Sequence, residues 1–160
     1  MGPWARPAVV ANDTLAYPIP DTHRVSWFAA EDLGPLTTEA LEHTDLTGHL
    51  NLGGPEALTG PELAAQMSRV LGHTIRYQAI TPEVFGGQMA QVFGPEMGEA
   101  ATRAYRLTWE GSPDAMTTDP AALHAALPVP LTRFTDWLTR HQGAFQAEHT
   151  QAGAAAGAAQ

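Results

Sequence analysis

The chain contains no cysteine and no lysine; its eight basic residues are all arginine. Without cysteine, disulfides and thiolate metal sites are impossible. Without lysine there is no Schiff-base nucleophile, no phosphate-loop lysine and no Tyr-x-x-x-Lys pair. A compositional bias of the source, rich in alanine, glycine and proline, accounts for the arginine-only usage. The formal net charge is -9, the wrong sign for nonspecific binding to nucleic acid, which needs a basic surface to displace counterions. No apolar run approaches the roughly 18–20 residues of a membrane helix. The opening MGPWARP lacks the apolar core of a signal peptide. No nucleic-acid or membrane partner is therefore expected, and the expected location is cytoplasmic.

Catalytic signatures are also missing. Neither G-x-G-x-x-G nor G-x-x-G-x-x-G occurs, so a dinucleotide site of the usual construction is not encoded here. The seven histidines show no zinc-ligand spacing; His23, His43, His49 and His73 fall at turns or element ends. Ser26, Ser68 and Ser112 have no flanking elbow glycines. Glu31 and Asp32 sit together at a helix start, where the helix dipole accounts for both.

What the sequence does contain is a strongly punctuated α/β pattern. Its 160 residues suffice for one core, read as a single domain over 1–150 with a disordered Ala/Gly tail over 151–160. The centre of the pattern is residues 51–72, NLGGPEALTGPELAAQMSRVLG. Thr59 and Glu62 have capping-box spacing, and Pro61 falls in the first turn. Leu63, Met67, Val70 and Leu71 form one apolar stripe, and Gly72 stands where a left-handed C-terminal residue is needed. A strand is expected at 49–52 before this helix and another at 74–80 after it.

Elsewhere, residues 1–7 read as irregular, with Trp4 exposed or docked, and residues 8–20 as weakly strand-like. A turn at 21–23 precedes a strand at 24–28. A helix follows from 31 to about 43, with Leu33, Leu36, Ala40 and Leu41 on its face. Thr81-Pro82-Glu83 opens another helix, whose expected stripe is Phe85, Met89, Val92 and Phe93. Gly86 and Gly87 within it suggest a close approach to the backbone. A helix over 96–109 should turn Met97, Ala101, Ala104 and Tyr105 inward. A short helix at 119–127 and a last one at 132–144, with Phe134, Trp137, Leu138 and His141 on one side, complete the pattern. The fold class is α/β, or α+β in isolation: short strands with a helix-rich second half. The aromatic and methionine residues Trp27, Tyr77, Phe85, Met89, Phe93, Tyr105 and Trp109 read first as core. Set beside the glycine pair, they also allow a small apolar-ligand pocket.

With the elements placed, their order resembles a known family. RVSWFAAEDLGPLTTEAL is similar to the strand-then-helix segment of the NmrA-like, atypical short-chain dehydrogenases. HLNLGGPEALTGPELAAQMSRVLGHTIRYQAITPEVF resembles that family's next block, and DPAALHAALPVPLTRFTDWLTRH its C-terminal end. The resemblance runs over about 8–141 and is most specific in the middle block. Family members carry a glycine-rich Rossmann half for NAD(P) ahead of these segments, and its glycines have no counterparts here. The resemblance therefore implies the substrate-side, C-terminal half of a Rossmann-type protein, with NAD(P) as the family's cofactor and none for this chain alone. By the same analogy Phe85, Met89, Tyr105 and Trp109 are the substrate-pocket candidates, and Asp32 is structural.

A strand at 49–52 without its parallel-sheet neighbours would leave an edge and apolar faces uncovered. A homo-oligomer, or a separate chain supplying the Rossmann half, is expected to cover them. Three functions stay open at this point. The first is a small-molecule-binding or regulatory module without oxidoreductase activity of its own. The second is the substrate-binding part of an NAD(P)H-dependent reductase completed by another chain. The third is a remnant without selected function.

Overall fold

A computed structural model describes residues 5–43 and 45–157. The element order is α1 (Ala5–Asn12), β1 (Thr14–Tyr17), β2 (Val25–Ser26), a 3-10 turn (Ala30–Asp32), α2 (Leu33–Glu42), β3 (Ala57–Leu58), α3 (Gly60–Leu71), β4 (Arg76–Ala79), α4 (Pro82–Phe93), α5 (Pro95–Glu110), α6 (Pro120–Ala126) and α7 (Phe134–Gly157). The mixed α/β class expected from the sequence is the one observed. Strand β1 pairs in parallel with β4, Leu15 opposite Tyr77, and β2 pairs antiparallel with β3, Val25 opposite Leu58.

Helix α3 is the central element, built as its punctuation requires. The Thr59 hydroxyl accepts from the Glu62 amide, and the Glu62 carboxylate accepts from the Thr59 amide. Such a cap stabilises a helix by about 1 kcal/mol. Gly72 closes it at φ 81°, a left-handed conformation that glycine adopts without a Cβ penalty. Leu63, Met67 and Leu71 are buried, each side chain contributing roughly 1.5–3 kcal/mol. They meet Val9 and Val10 of α1, Leu15 of β1, Ile75, and Leu138 and Phe145 of α7 in the main core. A smaller core gathers Leu36 of α2 with Leu123 and Leu127 at α6.

Several sequence-based expectations are corrected. Residues 8–12 are helical rather than strand-like; Val9 and Val10 enter the core from one turn of α1. The helix stops where Asp13 takes φ 51°, and β1 begins directly after it. Residues 49–52 form no strand. The strand lies instead at Ala57–Leu58, because Val25 and Ser26 offer it a hydrogen-bonding edge, whereas an extended segment without a partner has no ladder. Gly53 and Gly54 then lie against β2: the Gly54 amide donates to the Ser26 carbonyl at 3.0 Å. A Cβ on Gly54 would sit 1.8 Å from the Trp27 carbonyl oxygen, so only glycine fits there.

The inward face of α5 also differs from expectation. Met97 and Ala104 are exposed, and the residue buried against α4 is Gly98. Close approach of two backbones selects small residues at the seam, a signal that an apolar stripe does not record. On α4, Phe85 and Met89 are inside while Val92 and Phe93 are exposed. On α2, Leu36 is buried while Leu33 and Leu41 are exposed. The backbone of α7 is helical through Gly157, beyond residue 151 from which the sequence alone suggests disorder; alanine's high helix propensity favours that continuation. Trp4 and residues 158–160 lie outside the described residues.

Candidate functional site

The four sequence-derived candidates come from α4 and α5, which pack on each other. Phe85 and Met89 are buried and Tyr105 and Trp109 half-buried. The rings of Phe85 and Tyr105 meet edge-on at 5.0 Å, and both contact Tyr17 of β1, at 6.0 and 5.9 Å. Tyr17 in turn meets Trp27 edge-on at 5.4 Å. The Tyr105 hydroxyl donates to the Tyr17 hydroxyl at 3.1 Å. Phe85 and Tyr105 are therefore joined in one aromatic cluster, with Tyr17, which composition and spacing did not single out, at its centre.

That cluster is chemically quiet. Burial, and then the neighbouring Tyr105, push the Tyr17 phenol well above the ordinary tyrosine range. Burial, and then Asp21, do the same for Tyr77, whose hydroxyl donates to the Ile19 carbonyl at 2.6 Å. Both stay protonated at neutral pH and so are not bases; Tyr77 donates, while Tyr17 accepts from Tyr105. The serines are equally committed. Ser26 takes the Thr118 amide at 3.0 Å, and Ser68 takes the Ile75 amide at 2.8 Å. Asp32 is buried and accepts two bonds from Thr132, the structural role expected of it. Among the described residues no three His, Asp or Glu side chains gather as a metal-binding group, and no helix is long and apolar enough to cross a membrane.

The Gly86-Gly87 pair divides. A Cβ on Gly86 would fall 1.8 Å from the Thr102 hydroxyl and 2.8 Å from the Gly98 carbonyl oxygen, while Gly87 faces open space. What approaches the backbone at Gly86 is α5. A broad cleft of about 420 Å³ runs along the far side of this seam, bordered by Gly87, Arg103 and Arg106.

A more enclosed cavity, of about 230 Å³, lies between β2 and the start of α7. Trp27, Phe28, Leu63, Phe134 and Trp137 wall it, and Glu31 lies at its side. The Trp27 indole is held by its N–H, which donates to the Leu58 carbonyl at 3.1 Å. Phe134 and Trp137 stack at 6.2 Å, and His141 stacks on Trp137 at 4.7 Å. A third hollow, of about 300 Å³, is a shallow leucine surface formed by Leu33, Leu41, Leu50, Leu52 and Leu127. Leu50 and Leu52 there keep 39% and 41% of their surface exposed, in the segment that forms no strand.

The architecture is a mixed α/β fold shared with larger solved structures. It superposes on an NADPH-dependent quinone oxidoreductase from Escherichia coli complexed with NADPH with a TM-score of 0.62 and 16% identity, covering 86% of this chain and 48% of that one. It also superposes on a nucleoside-diphosphate-sugar epimerase from Staphylococcus aureus with a TM-score of 0.62 and 18% identity, covering 84% and 46%. The chain belongs to the NmrA-like family, whose model matches residues 7–113. It is 31% identical over 129 residues to the NAD(P)H azoreductase of Xenophilus azovorans, covering 78% of this chain and 43% of the relative. It is 27% identical over 118 residues to the (4-alkanoyl-5-oxo-2,5-dihydrofuran-3-yl)methyl phosphate reductase of Streptomyces griseus, covering 73% and 41%. The chain thus spans less than half the length of each of these relatives.

Proposed function

We propose that these residues form the substrate-side portion of an NAD(P)H-dependent reductase and have no oxidoreductase activity without a nucleotide-binding Rossmann half. The observation that carries this reading is the family match over 7–113 together with two reductase relatives. The quiet chemistry supports it: the buried tyrosines stay protonated, the chain has no lysine, and no glycine-rich turn offers amides to a pyrophosphate. The named relatives act on an azo compound, an oxo-dihydrofuran and, by fold, a quinone. All three are conjugated acceptors, so the substrate class proposed is a small electron-poor π system that takes hydride from NAD(P)H. By the family analogy the half-buried Tyr105 and Trp109 would face the substrate, with the buried Phe85 and Met89 behind them; none of the four lines the hollows described above.

The leucine surface supports an obligate covering partner. Water-exposed Leu33 and Leu41 of α2 stand together with Leu50 and Leu52 of the irregular segment, an apolar surface of the kind a partner covers. The Rossmann half, on the same or another polypeptide, covers them in the working enzyme; in its absence a second copy does so.

The test is light scattering and NADPH oxidation on the purified 160-residue chain, with a naphthoquinone and an azo dye as acceptors. A dimer or larger species, unmoved by NADPH and without turnover, is the expected result. Tight NADPH binding or turnover by this chain alone would overturn the reading.

A further inference from the structure

The cavity between β2 and α7 is separate from the α4–α5 wall assigned to the reductase substrate, and it has chemistry of its own. Four aromatic rings line it: Trp27, Phe28, Phe134 and Trp137. Its volume, about 230 Å³, exceeds the roughly 150 Å³ that takes benzene and falls below the roughly 300 Å³ at which drug-sized sites begin. It therefore fits one ring with a substituent of a few atoms.

Its polar groups are few and mostly committed. Thr132 lines the cavity, but its hydroxyl and its amide both donate to Asp32, at 2.6 and 2.8 Å. The Trp27 N–H is held by Leu58. Glu31 differs. Its Oε1 pairs with Arg140 on α7, while no protein donor among the described residues reaches its Oε2. Arg140 is half exposed and so is partly solvated in that pair. The other ion pair in this region joins Arg133 to Glu56 at 2.6 Å.

Aromatic faces attract cations through the ring quadrupole, most strongly at tryptophan. A carboxylate with an unused oxygen beside such faces adds a directed acceptor. The net charge of -9 raises the local concentration of cations further. We infer that this cavity binds a planar organic cation of one ring, an aryl amidinium. The ring lies among the aromatic side chains that line the cavity, and the cationic N–H groups donate to Glu31. The inference is independent of the reductase reading, since it requires neither nucleotide nor turnover.

The probe is benzamidine, compared with its neutral isostere benzamide and its anionic counterpart benzoate. Binding is followed by tryptophan fluorescence and calorimetry on the full chain. Benzamidine is expected to bind saturably, about tenfold tighter than benzamide, with benzoate weaker than both. Glu31→Gln should bring benzamidine down to the benzamide level. Arg140→Gln, which leaves Glu31 unshared, should tighten benzamidine several-fold; a role of the pair in folding alone would not predict that gain. Trp137→Leu should weaken benzamidine and benzamide together. Circular dichroism establishes that each variant is folded, and both charge variants lie at the surface. Equal affinity for benzamidine and benzamide would overturn the charge selection. Preference for benzoate would make Arg140 the anchor and overturn the ligand class. Absence of saturable binding to the folded wild-type chain would overturn the site.

Discussion

Asp32 and Thr132, a hundred residues apart, share two hydrogen bonds: the Thr132 amide donates to Oδ2 at 2.8 Å and its hydroxyl to Oδ1 at 2.6 Å. The carboxylate ends the 3-10 turn before α2, and the threonine stands just ahead of α7. One side chain thereby holds the approach to the last helix against the start of the second. This contact also sets one side of the aromatic cavity, where Thr132 lies close to Phe134.

Replacing Asp32 with alanine leaves a partly buried amide and hydroxyl without their acceptor. The expected loss is about 2–3 kcal/mol, a penalty typical of hydrogen bonds to charged groups. Thr132→Ser keeps both donors and should lose well under half of that. Urea unfolding of the two variants checks the order, and an Asp32→Ala variant as stable as wild type would refute the structural role.

The adjacent glycines of α4 should respond with opposite signs. Gly87→Ala adds a methyl into open space and raises helix propensity, a gain of roughly 0.5–1 kcal/mol. Gly86→Ala drives a Cβ into the Thr102 hydroxyl and the Gly98 carbonyl oxygen, and the backbone atom cannot rotate away. Separation of α4 from α5 is expected, at a cost of about 1–3 kcal/mol. Thermal melts of the pair, in a single experiment, test whether α5 is what the glycine admits.

Alkaline pH should unfold the chain through its tyrosines. Burial raises the folded-state values of Tyr17 and Tyr77 above the ordinary 10.0. Their contribution to stability is therefore complete below pH 10 and declines as pH rises through and beyond that value. In a spectroscopic titration Tyr17 and Tyr77 should resist ionisation until the chain unfolds, then appear together with loss of helix. Tyr17→Phe should flatten this alkaline loss, though it also removes the acceptor for Tyr105.

Much of the fold was legible because its helices are punctuated locally. Thr59 with Glu62, Thr81 ahead of Pro82, and Gly72 all do in three dimensions what their spacing announces. The misread segments depend on partners distant in sequence. Leu50 and Leu52 alternate like a strand, but Val25 and Ser26 pair two residues of the following segment instead. Val9-Val10 reads as β-branched, yet the short helix α1 places both in the main core that Leu63 and Met67 share. The seam of α5 runs through Gly98 and Thr102, so no apolar period marks it.

The candidate site was legible only in part. Phe85 and Tyr105 do share one cluster, but Tyr17 at its centre comes from a strand far earlier in the chain. The aromatic cavity was less visible still. Trp27 and Trp137 belong to β2's exit and to α7, and only the tertiary contact of α7 with α3 brings them to one space.

The parallel pairing of β1 with β4 has a kinetic consequence. Thr14 meets Arg76 across roughly sixty intervening residues, and closing such a loop costs about 3–4 kcal/mol from its length alone before any contact rewards it. The α4–α5 hairpin turns within a few residues at Gly94 and needs no such closure. During synthesis or refolding the hairpin should therefore form early and wait, its Phe85 and Tyr105 rings exposed, until Tyr17 arrives with the slower strand.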